Sequence, residues 1–164
     1  MTEKRAIVLS ALWCCGKTSL YKSCKKYSII DLDEILEPPK DTLVFNKECM
    51  DIDWYFHITK NISLYDFIFL SIKRCIFDVL QYYKIPYVLV FPENTEASKL
   101  EWERRNKKRN TEWLWNVNRY TWDSILENLK YDPYAERKYE LKENQYLSDV
   151  IDQIYQDHLI KLIN

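Results

Sequence analysis

Arg5-Ala-Ile-Val-Leu-Ser-Ala-Leu-Trp-Cys-Cys-Gly-Lys-Thr-Ser19 joins an apolar run, a loop and the start of a helix. Arg5 to Ser10 is short, rich in β-branched residues and bounded by charge on one side, the pattern of a buried parallel strand. The chain has one glycine, Gly16, against an average usage near 7%, so its position carries information. Ala11-Leu-Trp-Cys-Cys-Gly16-Lys17-Thr18 fits the phosphate-loop pattern with alanine in the first glycine position. Such a loop wraps phosphates in successive backbone N–H groups. Lys17 would reach the β and γ oxygens of ATP and the Thr18 hydroxyl would ligate Mg²⁺. A helix starting near Gly16 adds its positive dipole end. Glycine is required because a side chain would obstruct the approach of backbone to phosphate or the dihedrals of the turn. The candidate ATP-binding residues are therefore Trp13, Cys14, Cys15, Gly16, Lys17, Thr18 and Ser19.

Lys17 to Lys25 carries helix formers and leads to Tyr27-Ser-Ile-Ile-Asp-Leu32, a second strand ending among Asp31, Asp33 and Glu34. That is a βαβ unit of the expected size. Pro38 and Pro39 break regular structure, and Cys49 to Asn61 predicts a helix presenting aromatics. Asp66 to Ser71 predicts a third strand, followed by a helix from Ile72 to Lys84 with Ile72, Ile76, Val79, Leu80 and Tyr83 on one face. Tyr87 to Phe91 is a fourth strand stopped by Pro92. Thr95 to Arg109 predicts a polar helix in which Leu100 and Trp102 are nearly the only large apolar residues, which excludes it from the core. The next helix, Thr111 to Lys130, is expected to bury Leu114, Val117, Ile125 and Leu129. Tyr139 to Lys142 predicts a short fifth strand, and Tyr146 to Ile163 closes the chain as an amphipathic helix through Leu147, Val150, Ile151, Ile154 and Leu162. Strands alternating with helices imply a parallel sheet covered on both faces. The expected fold is α/β, a three-layer P-loop NTPase fold. It has a mainly parallel five-stranded sheet, helices on both faces and a polar lid helix over about 94–110, in one domain spanning 1–164.

The 164 residues fit one domain of ordinary size. With 24 Lys+Arg against 25 Asp+Glu, the whole-molecule field offers no general attraction to nucleic acid or anionic lipid, so any anion binding must be local. No apolar stretch approaches the roughly 18 residues of a membrane span, which predicts a soluble protein without a membrane partner. Met1 to Arg5 runs directly into the first strand with no signal-peptide pattern. The five cysteines (Cys14, Cys15, Cys24, Cys49, Cys75) include a vicinal pair and show no zinc spacing. A reducing, cytoplasmic location is expected.

A phosphotransferase also needs acids to orient Mg²⁺ or the accepting hydroxyl and cations to stabilise the transferring charge. Asp31 and Asp33 lie at the end of the second strand, where parallel sheets place their ligand crevice. Asp33 is a catalytic candidate and Asp31 a candidate Mg²⁺ ligand, both on the substrate side, although aspartate after a strand is also a common helix cap. An acid usual at the end of the third strand is replaced by Ser71, which would hold a Mg²⁺-bound water or serve the fold. Arg104, Arg105 and Arg109 are candidate catalytic cations on a mobile lid. Trp54 and Tyr55 are candidates for stacking an acceptor base, and Lys73 and Arg74 for contacting an acceptor phosphate. Trp13, Cys14 and Cys15 are expected within a few ångströms of the phosphates. A helix N-terminus and Lys17 would lower the pKa of an exposed thiol there.

With these elements placed, the chain resembles the nucleoside monophosphate kinase group of P-loop proteins, and small bacteriophage-type adenylate or deoxynucleoside monophosphate kinase-like proteins within it. The resemblance rests on Ala11 to Ser19, Ile30 to Asp33, Trp54 to Asn61 leading into Tyr65 to Ser71, Val88 to Glu93, Arg104-Arg105 and Gln145 to Val150. It implies that Lys17 and Thr18 serve ATP and Mg²⁺, Asp31 and Asp33 the acceptor side, and Arg104 to Arg109 the lid. The chain departs from that pattern after the third strand, where Ser71-Ile72-Lys73 and Phe77 stand, and at Asn144-Gln145. The expected activity is transfer of the γ-phosphoryl group of ATP to a nucleoside or deoxynucleoside monophosphate, a small-molecule nucleotide. Nucleic acid would be a partner only for a 5′-hydroxyl polynucleotide kinase, against which the near-neutral charge argues. A P-loop protein that binds nucleotide without turnover is the non-enzymatic alternative.

Overall fold

The structure is a computed structural model and describes residues 5–36 and 47–163. Five strands, β1 (Ile7–Ala11), β2 (Ile29–Asp31), β3 (Phe67–Ser71), β4 (Val88–Pro92) and β5 (Arg137–Leu141), form one sheet in the order β2-β3-β1-β4-β5. Every pairing is parallel. The helices are α1 (Lys17–Ser23), α2 (Leu32–Ile35), α3 (Lys47–Asn61), α4 (Arg74–Tyr82), α5 (Glu96–Lys108), α6 (Glu112–Asn118), α7 (Trp122–Lys130) and α8 (Leu147–Ile163). Among the described residues no helix is long and apolar enough to cross a membrane.

Successive side chains of a strand point to opposite faces, and every residue of β1 and β4 is buried. Both faces of the sheet are therefore covered. A right-handed crossover from β1 leftward to β2 puts α1 on one face, and the rightward steps to β3 and β4 put α3 and α4 on the other. The packing of α1 on α8 and of α3 on α4 agrees with this. β5, with exposed Arg137, Lys138 and Glu140, guards the sheet edge with charge.

Register brings Ala11 level with Ser71 of β3 and Val90 of β4. The connection after β1 leaves toward β2 while that after β4 leaves toward β5, so the chain diverges between neighbouring strands and opens a crevice at their carboxyl ends. The Leu12–Gly16 loop occupies that crevice.

Three expectations change. The helix expected over Thr111 to Lys130 is two helices separated by a 3-10 turn at Arg119–Thr121. Val117 is 70% exposed, while Trp115, Trp122, Leu126 and Leu129 are buried. The reason is an aromatic cluster: Trp13, Trp102 and Trp115 all pack against fully buried Trp122. Next, α5 does not stay off the core. It buries Ser98, Glu101, Trp102, Arg105 and Asn106, a stripe at helical spacing whose polar atoms find partners, while Leu100 faces solvent. Finally, Tyr83 lies at the edge of the α4 face, stacked on Tyr55 of α3 with centroids 3.9 Å apart. Pro38 and Pro39 lie outside the described residues, as do the side chain of Cys49 and the N-terminal segment.

Candidate phosphate-binding site

The loop after β1 is anchored to β4 by Leu12 N and Cys15 Sγ, both donating to Val90 O, and its carbonyls from Leu12 to Gly16 all find donors. Leu12 O accepts from Cys15 N, Trp13 O from Trp102 Nε1 at 3.0 Å, Cys14 O from Arg105 Nη1 at 3.3 Å, Cys15 O from Leu147 N at 2.8 Å and Gly16 O from Leu20 N. The amides of Trp13, Cys14, Gly16, Lys17 and Thr18 meet no acceptor among the described residues. A run of peptide groups with tied carbonyls and free N–H groups is a concavity suited to an anion. Two residues take left-handed backbone to build it, Cys14 at φ 63° and Gly16 at φ 97°. The first costs of order 1 kcal/mol for a non-glycine residue, and the ties to its neighbours hold it there. At Gly16 a Cβ would also approach Tyr146 Cδ1 to 3.3 Å, so both dihedral and space exclude a side chain.

Lys17 opens α1, and its Nζ lies 2.9 Å from Asp33 Oδ2. The other oxygen of Asp33 accepts from Ser71 Oγ at 2.8 Å and lies 3.7 Å from Lys73 Nζ. Thr18 Oγ1 is 3.4 Å from Glu34 Oε1. Lys17, Thr18, Asp33, Lys73 and Ser71 thus converge at the carboxyl ends of β1, β2 and β3. Asp31 is 1% exposed and caps α2 by accepting from Asp33 N at 3.2 Å. Burial pushes its carboxyl up from the ordinary range, opposed by the Lys17 charge and reinforced by Asp33. No group of three His, Cys, Asp or Glu residues among those described would hold a metal by itself.

The polar helix is docked on the loop instead of standing free above it. Arg105, 3% exposed, is sandwiched between the Trp102 ring (4.4 Å to the centroid) and the Tyr146 ring (3.8 Å). Its Nε donates to Glu101 and its two Nη groups to the carbonyls of Cys14 and Gln145. That guanidinium ties α5, the loop and the start of α8 together, and its donors face backbone and Glu101. Arg104 makes a bidentate pair with Glu101 at 2.7 Å on the exposed side. Arg109 does reach the crevice: with Lys108, Arg105, Tyr146, Cys14, Gly16, Thr18 and Ser19 it lines a cavity of about 310 Å³ beside the loop.

The aromatic candidates are elsewhere. Trp54 is core, and Tyr55 stacks on Tyr83 between α3 and α4; neither lines the cavity. Arg74 is exposed at the start of α4. Trp13 is half-buried against Trp122. Both loop thiols are buried, Cys14 at 4% and Cys15 at 1% exposure, so neither meets the condition of exposure on which a lowered pKa depends. Burial pushes Cys15 up to about 12 despite Lys17 and Arg105, and raises Cys14 against the opposing pull of Arg109. A rise from 9.0 to about 12 cuts the reactive thiolate about a thousandfold. In native protein, Cys14 and Cys15 are expected to alkylate far more slowly than half-buried Cys24 and Cys75, read by mass spectrometry of peptides after timed labelling. Labelling of Cys15 as fast as Cys24 would contradict the burial.

Glu101 and Tyr146 join the site without a role assigned from sequence, whereas Glu34 enters there only as a third acid at the end of the second strand and Lys108 only as part of the lid segment. The spacing of Glu101 to Arg104 and Arg105 is a helical ion-pair signal. Tyr146 had no local signal, since what matters is its contact with Gly16 from the far end of the chain. The chain matches no family model, no curated protein and no solved structure.

Proposed function

We propose that the protein is a P-loop phosphotransferase that binds the phosphates of ATP in the Leu12–Thr18 loop and passes the terminal phosphoryl group to a nucleotide-class acceptor. The observation that carries this is the row of unpaired amides at Trp13, Cys14, Gly16, Lys17 and Thr18 with every adjoining carbonyl tied down. Amides fixed in advance stabilise developing negative charge without reorganising. Lys17 supplies a cation at the start of α1, and Lys108 and Arg109 line the adjoining cavity, sized for part of a nucleotide. Arg105 acts at one remove as a positioning residue that holds the Cys14 carbonyl.

The Thr18 hydroxyl beside the Glu34 carboxylate fits Mg²⁺, which takes one or two protein oxygens together with substrate phosphates and water. Held by Thr18 and Glu34, the ion would supply charge neutralisation to the bound phosphates. Asp31, as a buried cap, fits that role less well than Glu34. The family resemblance directs the acceptor search first to nucleoside and deoxynucleoside monophosphates.

Mg·ATP at a hundred times its dissociation constant is expected to raise stability by about 2.7 kcal/mol, which is roughly 5–10 °C in melting temperature for a chain of this length. Thermal melting with and without Mg·ATP reads this, and ADP release with added acceptors reads transfer. A melting temperature unmoved by millimolar Mg·ATP would remove the basis of the proposal.

A further inference from the structure

We infer that a second copy of this chain docks on the outer face of α6, forming a two-fold dimer in which the stripe Trp113, Val117 and Tyr120 packs against itself. This goes beyond the phosphotransfer reading and does not depend on it.

α6 is apolar on two sides. Its inner side carries Trp115, 5% exposed, which packs on Trp122. Its outer side carries Trp113, Val117 and Tyr120, which are 67%, 70% and 80% exposed. Spacings of four and three residues set the three in one stripe, which runs on into the 3-10 turn at Arg119–Thr121. A helix that is apolar all round is ordinarily covered on every side, and a row of large exposed apolar side chains marks a contact surface. Trp, Tyr and Arg are also the residues that most often anchor such contacts.

Charge selects the occupant. Lys108 and Arg109 stand at the start of the stripe and Asp123 and Glu127 at its far end, all exposed. Between them lie Glu112, beside Trp113, and Arg119, whose guanidinium is 4.6 Å from the centre of the Tyr120 ring and donates to its hydroxyl. None of these charges has a salt-bridge partner among the described residues. A polynucleotide laid along the stripe would meet Glu112, Asp123 and Glu127 as like charges. A second copy turned through a half-turn meets opposite charges throughout. Glu112 and Trp113 lie four and three residues before Asn116, and Arg119 and Tyr120 lie three and four after it. One antiparallel register centred near Asn116 therefore sets Trp113 opposite the partner's Tyr120 and Glu112 opposite the partner's Arg119, each within about 1.5 Å of level. The basic end of each stripe then faces the acidic end of the other. Every contact occurs twice, as a closed two-fold interface requires. The face is short, so the dimer belongs among small, concentration-dependent interfaces.

Sedimentation velocity of the intact protein, from micromolar to several hundred micromolar, tests this. The mass is expected to rise from one chain toward two. Glu112→Arg or Arg119→Glu alone sets like charges opposite each other twice and is expected to weaken the dimer roughly tenfold or more. The double exchange restores both pairs in reverse and is expected to recover most of the loss. Val117→Asp places two carboxylates beside the two-fold axis and is expected to abolish association. Because these positions are exposed, melts of the dilute variants should match wild type, and rescue by the double exchange reads the contact even where a single variant loses stability. One chain at every concentration overturns the inference. So does a dimer that Val117→Asp and both single reversals leave intact, since another face would then carry it. A single-stranded oligonucleotide bound by the single chain and released by Trp113→Ala would give the stripe to nucleic acid and overturn it as well. None of these outcomes touches the Mg·ATP melt, which tests the phosphate loop separately.

Discussion

Lys17→Ala is expected to lower the rate of phosphoryl transfer by on the order of 10²–10³-fold, the range seen when one preorganised charge-stabilising group is removed. Its side chain is 11% exposed, and its one described polar contact is Asp33. Deleting the ammonium takes away the lysine that, among the described residues, stands between the unpaired amides of the loop and the Asp33 carboxylate. The fold should persist, because Asp33 retains Ser71 and Lys73 and the loop carbonyls remain tied by Trp102, Arg105 and Leu147. Steady-state ADP release and a denaturant melt on the same preparation separate the two effects. Turnover within threefold of wild type would sink the assignment of this loop to the transferring phosphate. A large drop in melting temperature would show instead that the ion pair is structural.

Arg105→Ala is expected to destabilise the protein by about 3–5 kcal/mol, the cost of breaking a buried ion pair and leaving its partner uncompensated. Glu101 would lose the buried partner of the two arginines that bind it, and the carbonyls of Cys14 and Gln145 would lose their donors. Arg104→Ala, by contrast, removes a guanidinium that is 58% exposed and should cost no more than about 1 kcal/mol. The denaturation midpoints of the two variants make the comparison. Equal stability of both, with lost turnover in Arg105→Ala, would return Arg105 to a direct catalytic role.

The pair also has a pH signature. The hydrogen bonds from Arg104, with those from Arg105 and against the effect of burial, hold the Glu101 carboxyl down at about 2 instead of 4.5. A depressed folded-state pKa means that this stabilisation is complete above about pH 4.5 and drains away as pH falls toward 2. Arg104→Ala, which removes the largest of these contributions, should therefore flatten the acid side of the stability profile, and Arg105→Ala should flatten it less.

Strand identity was legible because apolar, β-branched runs such as Ile7 to Leu9 and Phe67 to Leu70 carry their own signal, burial on both faces of a parallel sheet. The place of the loop between β1 and α1 was legible for a similar reason: one glycine, with Lys17 and Thr18 after it, marks the left-handed turn observed at Gly16. Asp33 could be nominated from its position at a strand end, where parallel sheets collect their ligand groups.

Charged and aromatic side chains are where the sequence ran out. A polar helix and a polar buried helix have the same composition; α5 became the second kind because Trp102 and Arg105 found loop carbonyls to bind. Arg104 and Arg105 are neighbours in sequence, yet about 100° of helical rotation sends one to solvent and the other between two aromatic rings. The thiols of Cys14 and Cys15 lie beside cations, which by proximity alone would activate them, but burial outweighs the charges. Composition, periodicity and one glycine thus determined the layers of the sheet and the loop at its crevice. Only the packing of distant segments decided which side of each element faced the loop, since the partners that fix a side chain's direction, Tyr146 on Gly16 or Trp122 on Trp13, are more than a hundred residues away.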